Sequence, residues 1–163
     1  SYNRRLATAV SRLAPADFLF EEVEIGDLPL YNQDDDAAPA DSVRRLKAEV
    51  AAAQGLLFVT PEYNHGPSGA LKNAIDFLYR EWNNKAAGFV AYGSAGGTRA
   101  VEQLRLIMAE LQIADVRGQV ALSLYTDFEN FATFKPAPVH AKPLAAMLDQ
   151  VVAWATALKP LRG

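Results

Sequence analysis

Between Thr60 and Leu78 the chain reads Thr60-Pro61-Glu62-Tyr63-Asn64-His65-Gly66-Pro67-Ser68-Gly69-Ala70-Leu71-Lys72-Asn73-Ala74-Ile75-Asp76-Phe77-Leu78. Carboxylate, phenol, carboxamide, imidazole and hydroxyl groups crowd together where an apolar run, Leu56-Leu57-Phe58-Val59, stops and a helical pattern starts. A polar, glycine-containing loop at the carboxyl end of a strand is where open α/β sheets bind ligands. A second such loop, Gly93-Ser94-Ala95-Gly96-Gly97, follows the apolar run Gly88-Phe89-Val90-Ala91-Tyr92. Glycine carries no Cβ and tolerates positive φ, so this loop suits the close approach of backbone to a planar ligand. Thr98 and Arg99 then open a helix, with Arg99 free to meet a ligand phosphate, a neighbouring subunit or solvent. At the start of the chain, Ser1 and Asn3 stand at the opening of the first helix, where hydroxyls, backbone N–H groups and the macrodipole favour a phosphate. Taken alone, Ser1-Tyr2-Asn3 reads equally as a common helix cap.

Together these stretches resemble the NADPH-dependent FMN reductase family, flavodoxin-like oxidoreductases that include chromate, quinone and azo-dye reductases. The resemblance rests on Ser1–Asn3, Pro61–Asp76 and Gly93–Gly97. It implies that Pro61, Glu62, Tyr63 and Asn64 meet the isoalloxazine ring of FMN, mainly through backbone, with the Asn64 side chain bonding nearby and Tyr63 forming part of the wall. Gly93, Ser94, Gly96 and Gly97 then form a second loop at the ring. Ser1, Tyr2 and Asn3 match the last three positions of the family's Gly-Ser-x-Arg-x-x-Ser-x-Asn phosphate loop. Without the resemblance, Tyr63 reads as a half-buried aromatic and Glu62 as a solvated loop charge. His65 replaces the small residue that often follows the Asn and is expected to face solvent, with a place at the substrate mouth as the alternative. The run Leu71-Lys72-Asn73-Ala74-Ile75-Asp76 is recurrent in the family and architectural: Ser68 caps the helix, Lys72 pairs with Asp76, and Asn73 meets Phe77 one turn on.

The activity implied is FMN-dependent NAD(P)H oxidoreduction by a ping-pong course. NADPH or NADH passes hydride to the flavin, leaves, and a quinone or other small electron acceptor takes its place. The chemistry resides in the cofactor, so no side chain is nominated as catalytic acid or base. The alternatives are a flavodoxin-type electron carrier, a non-catalytic FMN-binding module, or a partner-binding protein that uses the fold without flavin. A net charge of -3 is modest for the acidic docking face of a carrier.

Composition narrows the field. The 163 residues fit a single domain, and 50% hydrophobic content supplies a core. Sixteen Lys+Arg against nineteen Asp+Glu give no global basic field for a nucleic-acid backbone. Absence of cysteine removes disulfides, thiolate metal sites and thiol nucleophiles, and fits a reducing cytoplasm. His65 and His140 lie far apart and no metal-ligand spacing is present, so no metal is expected. No apolar run reaches the roughly 20 residues of a membrane span.

The elements that would position these loops alternate. A helix is predicted over Asn3–Leu13, stopped by Pro15; a strand over Phe18–Ile25; a helix capped by Asp41 and carrying Val43, Leu46 and Val50; a strand over Leu56–Thr60; and a helix over Ser68–Tyr79. A strand over Gly88–Tyr92, a helix carrying Val101, Leu104, Ile107, Met108 and Leu111, a strand over Val116–Tyr125 and a helix over Ala141–Leu158 follow. Such alternation predicts an α/β domain with a parallel sheet covered on both faces. The resemblance sharpens this to a flavodoxin-like, doubly wound, five-stranded sheet of order 2-1-3-4-5, in which strand 1 is missing from this chain. The expectation is that the chain begins inside the phosphate loop, with further residues upstream. The apolar residues of the Arg99–Leu111 helix and of Phe77–Trp82 are either internal or more than one small domain needs, and because the resemblance implies dimers and often tetramers, a homodimer or homotetramer using these helices is expected.

Overall fold

A computed structural model describes every residue except Ser1, Pro15, Asp36, Ala38 and Gly163, and describes Tyr2 and Leu13 through their backbone alone. The apolar runs become β1 (Gly55–Pro61), β2 (Ala86–Gly93) and β3 (Ala114–Ser123). They pair in parallel in the order β1-β2-β3, with Phe58 opposite Phe89, Pro61 opposite Tyr92, and Gly93 opposite Ser123. Their carboxyl ends therefore emerge along one edge, side by side. A short antiparallel hairpin, β4 (Phe128–Glu129) with β5 (Thr133–Phe134), stands apart from this sheet.

Five helices cover the sheet: α1 (Tyr2–Leu13), α2 (Asp41–Ala52), α3 (Gly69–Asp76), α4 (Thr98–Glu110) and α5 (Ala141–Leu158). Strand residues alternate between two cores, as the period of two requires. Phe58, Ala87, Phe89 and Ala91 face Leu46 and Val50 of α2, Leu71 and Ile75 of α3, and Val101, Leu104 and Met108 of α4. Ala86, Val90 and Tyr92 face Leu6 and Val10 of α1 and Leu144, Met147, Leu148 and Val151 of α5. β2 is buried along its whole length, whereas β1, with a strand neighbour on one side only among the described residues, is partly exposed.

Several expectations need correction. Phe18–Ile25 forms no strand, because a strand exists only with a ladder partner and the segment pairs with no edge of the sheet. Its side chains are still used: Val23 and Ile25 pack on one core, Phe18 on the other, and Glu22 and Glu24 pair with Arg4. The described residues hold three parallel strands, one fewer than the four expected of this chain with strand 1 absent from it. Asp41 is the first residue of α2 and not its cap; its carboxylate pairs with Arg44. The helix after the first loop ends at Asp76, and Leu78 and Trp82 fold back into the core, where the Trp82 Nε1–H donates to the Ile75 carbonyl at 3.1 Å. The apolar residues assigned to an assembly surface are mostly internal: Leu78, Trp82, Val101, Leu104, Met108 and Leu111 are all buried.

Lys85 is the one buried lysine among the described residues, donating to the carbonyls of Ala51 and Ala53 at the end of α2. A cation there complements the negative end of the helix. Burial, and secondarily the nearby Arg162, pushes its pKa below the usual lysine value.

Candidate functional site

The turn after β1 is built by the chain itself. Tyr63 N–H donates to the Gly66 carbonyl at 2.9 Å and Gly66 N–H returns the bond at 3.0 Å, closing a two-residue reversal. Its central residues, Asn64 (φ 49°) and His65 (φ 66°), both lie in the left-handed region, the geometry of a mirror-image hairpin turn. Tyr63, Asn64 and His65 are exposed, and no hydrogen bond holds the Asn64 side chain among the described residues. Behind the turn, Ser68 caps α3 as expected, its Oγ accepting from Leu71 N–H at 3.3 Å, and Lys72 pairs with Asp76. The hydrogen bonds of the Asn73 side chain run to Tyr31 and Pro29 rather than along α3. Asn73 clamps the loop before α2, accepting from Tyr31 N–H and donating to the Pro29 carbonyl, both at 2.8 Å.

Glu62 is not a solvated charge. Its side chain is 4% exposed, Oε2 accepts from the backbone N–H groups of Arg99 (3.0 Å) and Ala100 (3.4 Å), and Oε1 pairs with the Arg99 guanidinium. Burial raises the carboxyl pKa, but the Arg99 side chain and the two N–H groups outweigh it and hold Glu62 below its ordinary value. Arg99 also reaches His65, with Nη1 2.7 Å from Nε2. A guanidinium can only donate, so Nε2 is the acceptor in this contact. His65, although exposed, is therefore anchored, and Arg99 is committed to protein groups. The first N–H groups of α4 are spent on Glu62, so α4 does not offer its N-terminus to a phosphate.

The second loop touches the first. Glu62 N–H donates to the Tyr92 carbonyl at 2.9 Å, and a Cβ on Gly93 would lie 3.1 Å from that of Glu62. The reason for glycine at Gly97 is internal rather than the approach of a ligand. With φ 70°, a Cβ there would sit 2.5 Å from Ala91 Cβ and 2.7 Å from Tyr92 N. Gly96, also at positive φ, would press on Ala121. Ser94 and Ala95 are left exposed at the crown.

A third loop, which the sequence reading missed, completes the edge. Leu124 N–H donates to the Gly93 carbonyl at 3.1 Å, and beyond it Tyr125 and Phe131 are exposed with their rings edge to face at 5.6 Å. The loop is pinned by Asp127, which is 1% exposed. Its Oδ1 accepts from Ala137 N–H and His140 Nε2–H, and its Oδ2 from Ser123 N–H. Burial raises its pKa, but these donors together hold it below its ordinary value. The signal available in sequence was the aromatic spacing Tyr125, Phe128, Phe131, Phe134 around one aspartate.

At the opposite margin, Asn3 Nδ2 donates to the Val59 carbonyl at 2.9 Å, which docks α1 beside the end of β1. Asn3 Oδ1 is buried without a partner among the described residues, an acceptor left for a ligand's donor. Ser1, expected at the phosphate, and the Tyr2 side chain lie outside the described residues. The residues present fit FMN: ribityl hydroxyls carry the donor that Asn3 Oδ1 lacks, the unheld Asn64 amide and exposed loop crowns suit the edge of a flat ring, and the exposed Tyr63 offers a flat aromatic face. Among the described residues, no group of three or more His, Asp or Glu could hold a metal ion, and no helix is long and apolar enough to cross a membrane.

Known proteins resemble this chain in sequence and in fold. The family model for NADPH-dependent FMN reductase matches residues 1–127. A quinone reductase of Pseudomonas putida is 41% identical over 140 residues, covering 78% of this chain and 75% of its own. A 2-hydroxy-1,4-benzoquinone reductase of a Burkholderia species is 42% identical over 120 residues, covering 69% of this chain; the match spans 66% of that relative's length. Among solved structures, the flavoenzyme FerB of Paracoccus denitrificans, an NAD(P)H:(acceptor) oxidoreductase, superposes with a TM-score of 0.80 at 28% identity, over 96% of this chain and 90% of that one.

Proposed function

Given that the chain belongs to the NADPH-dependent FMN reductase family, we propose that it is an FMN-dependent NAD(P)H oxidoreductase that reduces quinones and related small acceptors in the cytoplasm. The observation that carries this reading is the row of three touching loops at the carboxyl ends of β1, β2 and β3, with Tyr63, Asn64, Ser94, Tyr125 and Phe131 exposed along it. Bound FMN supplies the redox chemistry, accepting hydride from the nicotinamide and returning it to the acceptor.

What the chain contributes is binding and order. Asn64 hydrogen-bonds the ring edge, the Pro61–Asn64 backbone and the Gly93–Gly97 crown bracket it, and Asn3 holds the ribityl chain toward a phosphate at the start of α1. Glu62 acts one step removed: by binding the start of α4 and Arg99 it locks the first two loops at fixed spacing. Tyr125 and Phe131 offer an apolar wall against which a nicotinamide or quinone stacks in turn, which suits a shared, ping-pong site. No side chain is needed as proton donor, because the acceptor face opens to water.

The same reading takes β1, β2 and β3 as strands 3 to 5 of one doubly wound domain of order 2-1-3-4-5. The half-open β1 and the packing of Val23 and Ile25 beside it support that order. It also takes the protein as a homodimer or homotetramer without nucleic-acid partners, using the outward Leu106 and Tyr79 rather than the buried residues of the same segments. The experiment is direct: load the purified protein with FMN, record the flavin absorbance, and follow NADPH and NADH oxidation with and without a benzoquinone. Quinone-dependent oxidation that is lost with Asn64→Ala supports the reading. Tight flavin binding without nicotinamide oxidation would make it a flavodoxin-type carrier instead.

A further inference from the structure

We infer that the outer face of α1 is a phosphate subsite for the adenylate end of the nicotinamide donor, with Arg5 and Arg12 reading the ribose 2′-phosphate and pyrophosphate of NADPH; this rests on the donor named above. A shallow, open groove lies on this face, lined by Arg4, Arg5, Thr8, Ala9, Arg12 and Pro136. Residues 5, 8, 9 and 12 follow the i, i+3, i+4, i+7 spacing of one helical stripe, so the two arginines stand about 10 Å apart along the groove.

Charge balance singles this stripe out. Arg4, Arg44, Arg45, Arg99 and Arg105 all have carboxylate partners, and Arg162 is held by carbonyls. Arg5 and Arg12 have neither a carboxylate nor a hydrogen-bond partner among the described residues. Arg80 and Arg117 are also unpartnered, but they lie on separate elements and share no groove. No acidic residue lines the groove, in a chain whose net charge is -3. An anion with charged groups spaced to match can meet both guanidinium groups at once through charge-assisted hydrogen bonds.

Position and lining select the anion. α1 is docked at its start to the carboxyl end of β1 through Asn3 and Val59, and Pro136 belongs to the segment that Asp127 pins at the end of the third loop through Lys135 N–H and Ala137 N–H. The groove thus lies between a helix anchored at the end of β1 and a segment anchored through Asp127 at the end of β3. Its floor is apolar at Ala9 and Pro136, suited to a sugar and a purine face, with cations at intervals along it. A molecule with phosphates on either side of a ribose fits that alternation. A simple quinone leaves both arginines unanswered.

The test uses the FMN-loaded protein and adenosine 2′,5′-bisphosphate, titrated by calorimetry at low ionic strength. The expected result is saturable binding that weakens with salt, is tighter than that of adenosine 5′-monophosphate, and falls by about tenfold for each of Arg5→Ser and Arg12→Ser. Arg80→Ser and Arg117→Ser serve as controls that leave it unchanged, and thermal melts check that all variants are folded. In steady state, the rise in KM for NADPH in the two α1 variants should exceed the rise for NADH. Absence of bisphosphate binding, or equal binding by wild type and the Arg5→Ser, Arg12→Ser double variant, overturns the inference even if NADPH is oxidised. Bisphosphate binding that depends on both arginines, in a protein that oxidises no nicotinamide, upholds the subsite and removes the donor assignment.

Discussion

Glu62 carries the loop geometry of the site, because one carboxylate joins the end of β1 to the start of α4. Glu62→Ala leaves the Arg99 and Ala100 N–H groups and a half-buried guanidinium without their acceptor, and is expected to cost about 3 kcal/mol in urea unfolding while lowering FMN affinity. Glu62→Gln keeps the shape and loses the charge, and should cost about half as much. Acid unfolding gives a second readout. The folded pKa values of Glu62 and Asp127 lie below the ordinary 4.5 and 3.8, so their stabilisation is fully present above those values and is lost as pH falls through the lower folded values. Stability measured from pH 6 downward should therefore drop less steeply in Asp127→Asn and Glu62→Gln than in wild type, from a lower starting point. The place of Tyr63 and Asn64 on a turn at the end of β1 was legible because strand, turn and helix signals bracket them within a few positions. The clamp role of Glu62 was not, since its partners lie 37 and 38 residues away and only the β1–β2 register brings them together.

Elements that bury two faces announced themselves. β2 is apolar along its whole length and helices α4 and α5 keep their spacing, so their existence and type could be read directly. Phe18–Ile25 has the composition of a strand, but composition cannot supply a ladder partner, and the segment packs without one. β4 and β5 were invisible because two residues each carry no periodicity. The Gly93–Gly97 turn was legible as glycine-dependent, for a reason that differs from the expected one. Since Gly97 is required by Ala91 and Tyr92 and by its own φ, Gly97→Ala should destabilise the protein by about 3 kcal/mol even without cofactor, as read from a thermal melt of the flavin-free form. A variant that melts like wild type when free of flavin, and differs only when loaded, would return the glycine to the ligand.

At the scale of the whole molecule, a ligand that binds the folded frame and not the unfolded chain stabilises the frame. FMN at a hundred times its Kd adds about 2.7 kcal/mol to unfolding, which for a chain of this size raises Tm by roughly 5–10 °C. A melt that does not move with added FMN would contradict the placement of the cofactor. For assembly, light scattering should give a dimer or tetramer mass, and Leu106→Glu, an outward residue of α4, should lower it without changing the melt of the isolated subunit. The two tryptophans divide the molecule differently. Trp82 is enclosed beside Phe58, with its indole N–H bonded to Ile75, whereas Trp154 is half exposed on α5 across the sheet. The fluorescence should thus be the sum of a blue component immune to acrylamide and a red component quenched by it. In Trp154→Phe only the buried emitter remains, so its red shift would time the release of α3, the helix that follows the Tyr63–Gly66 turn, separately from the loss of the α5 face.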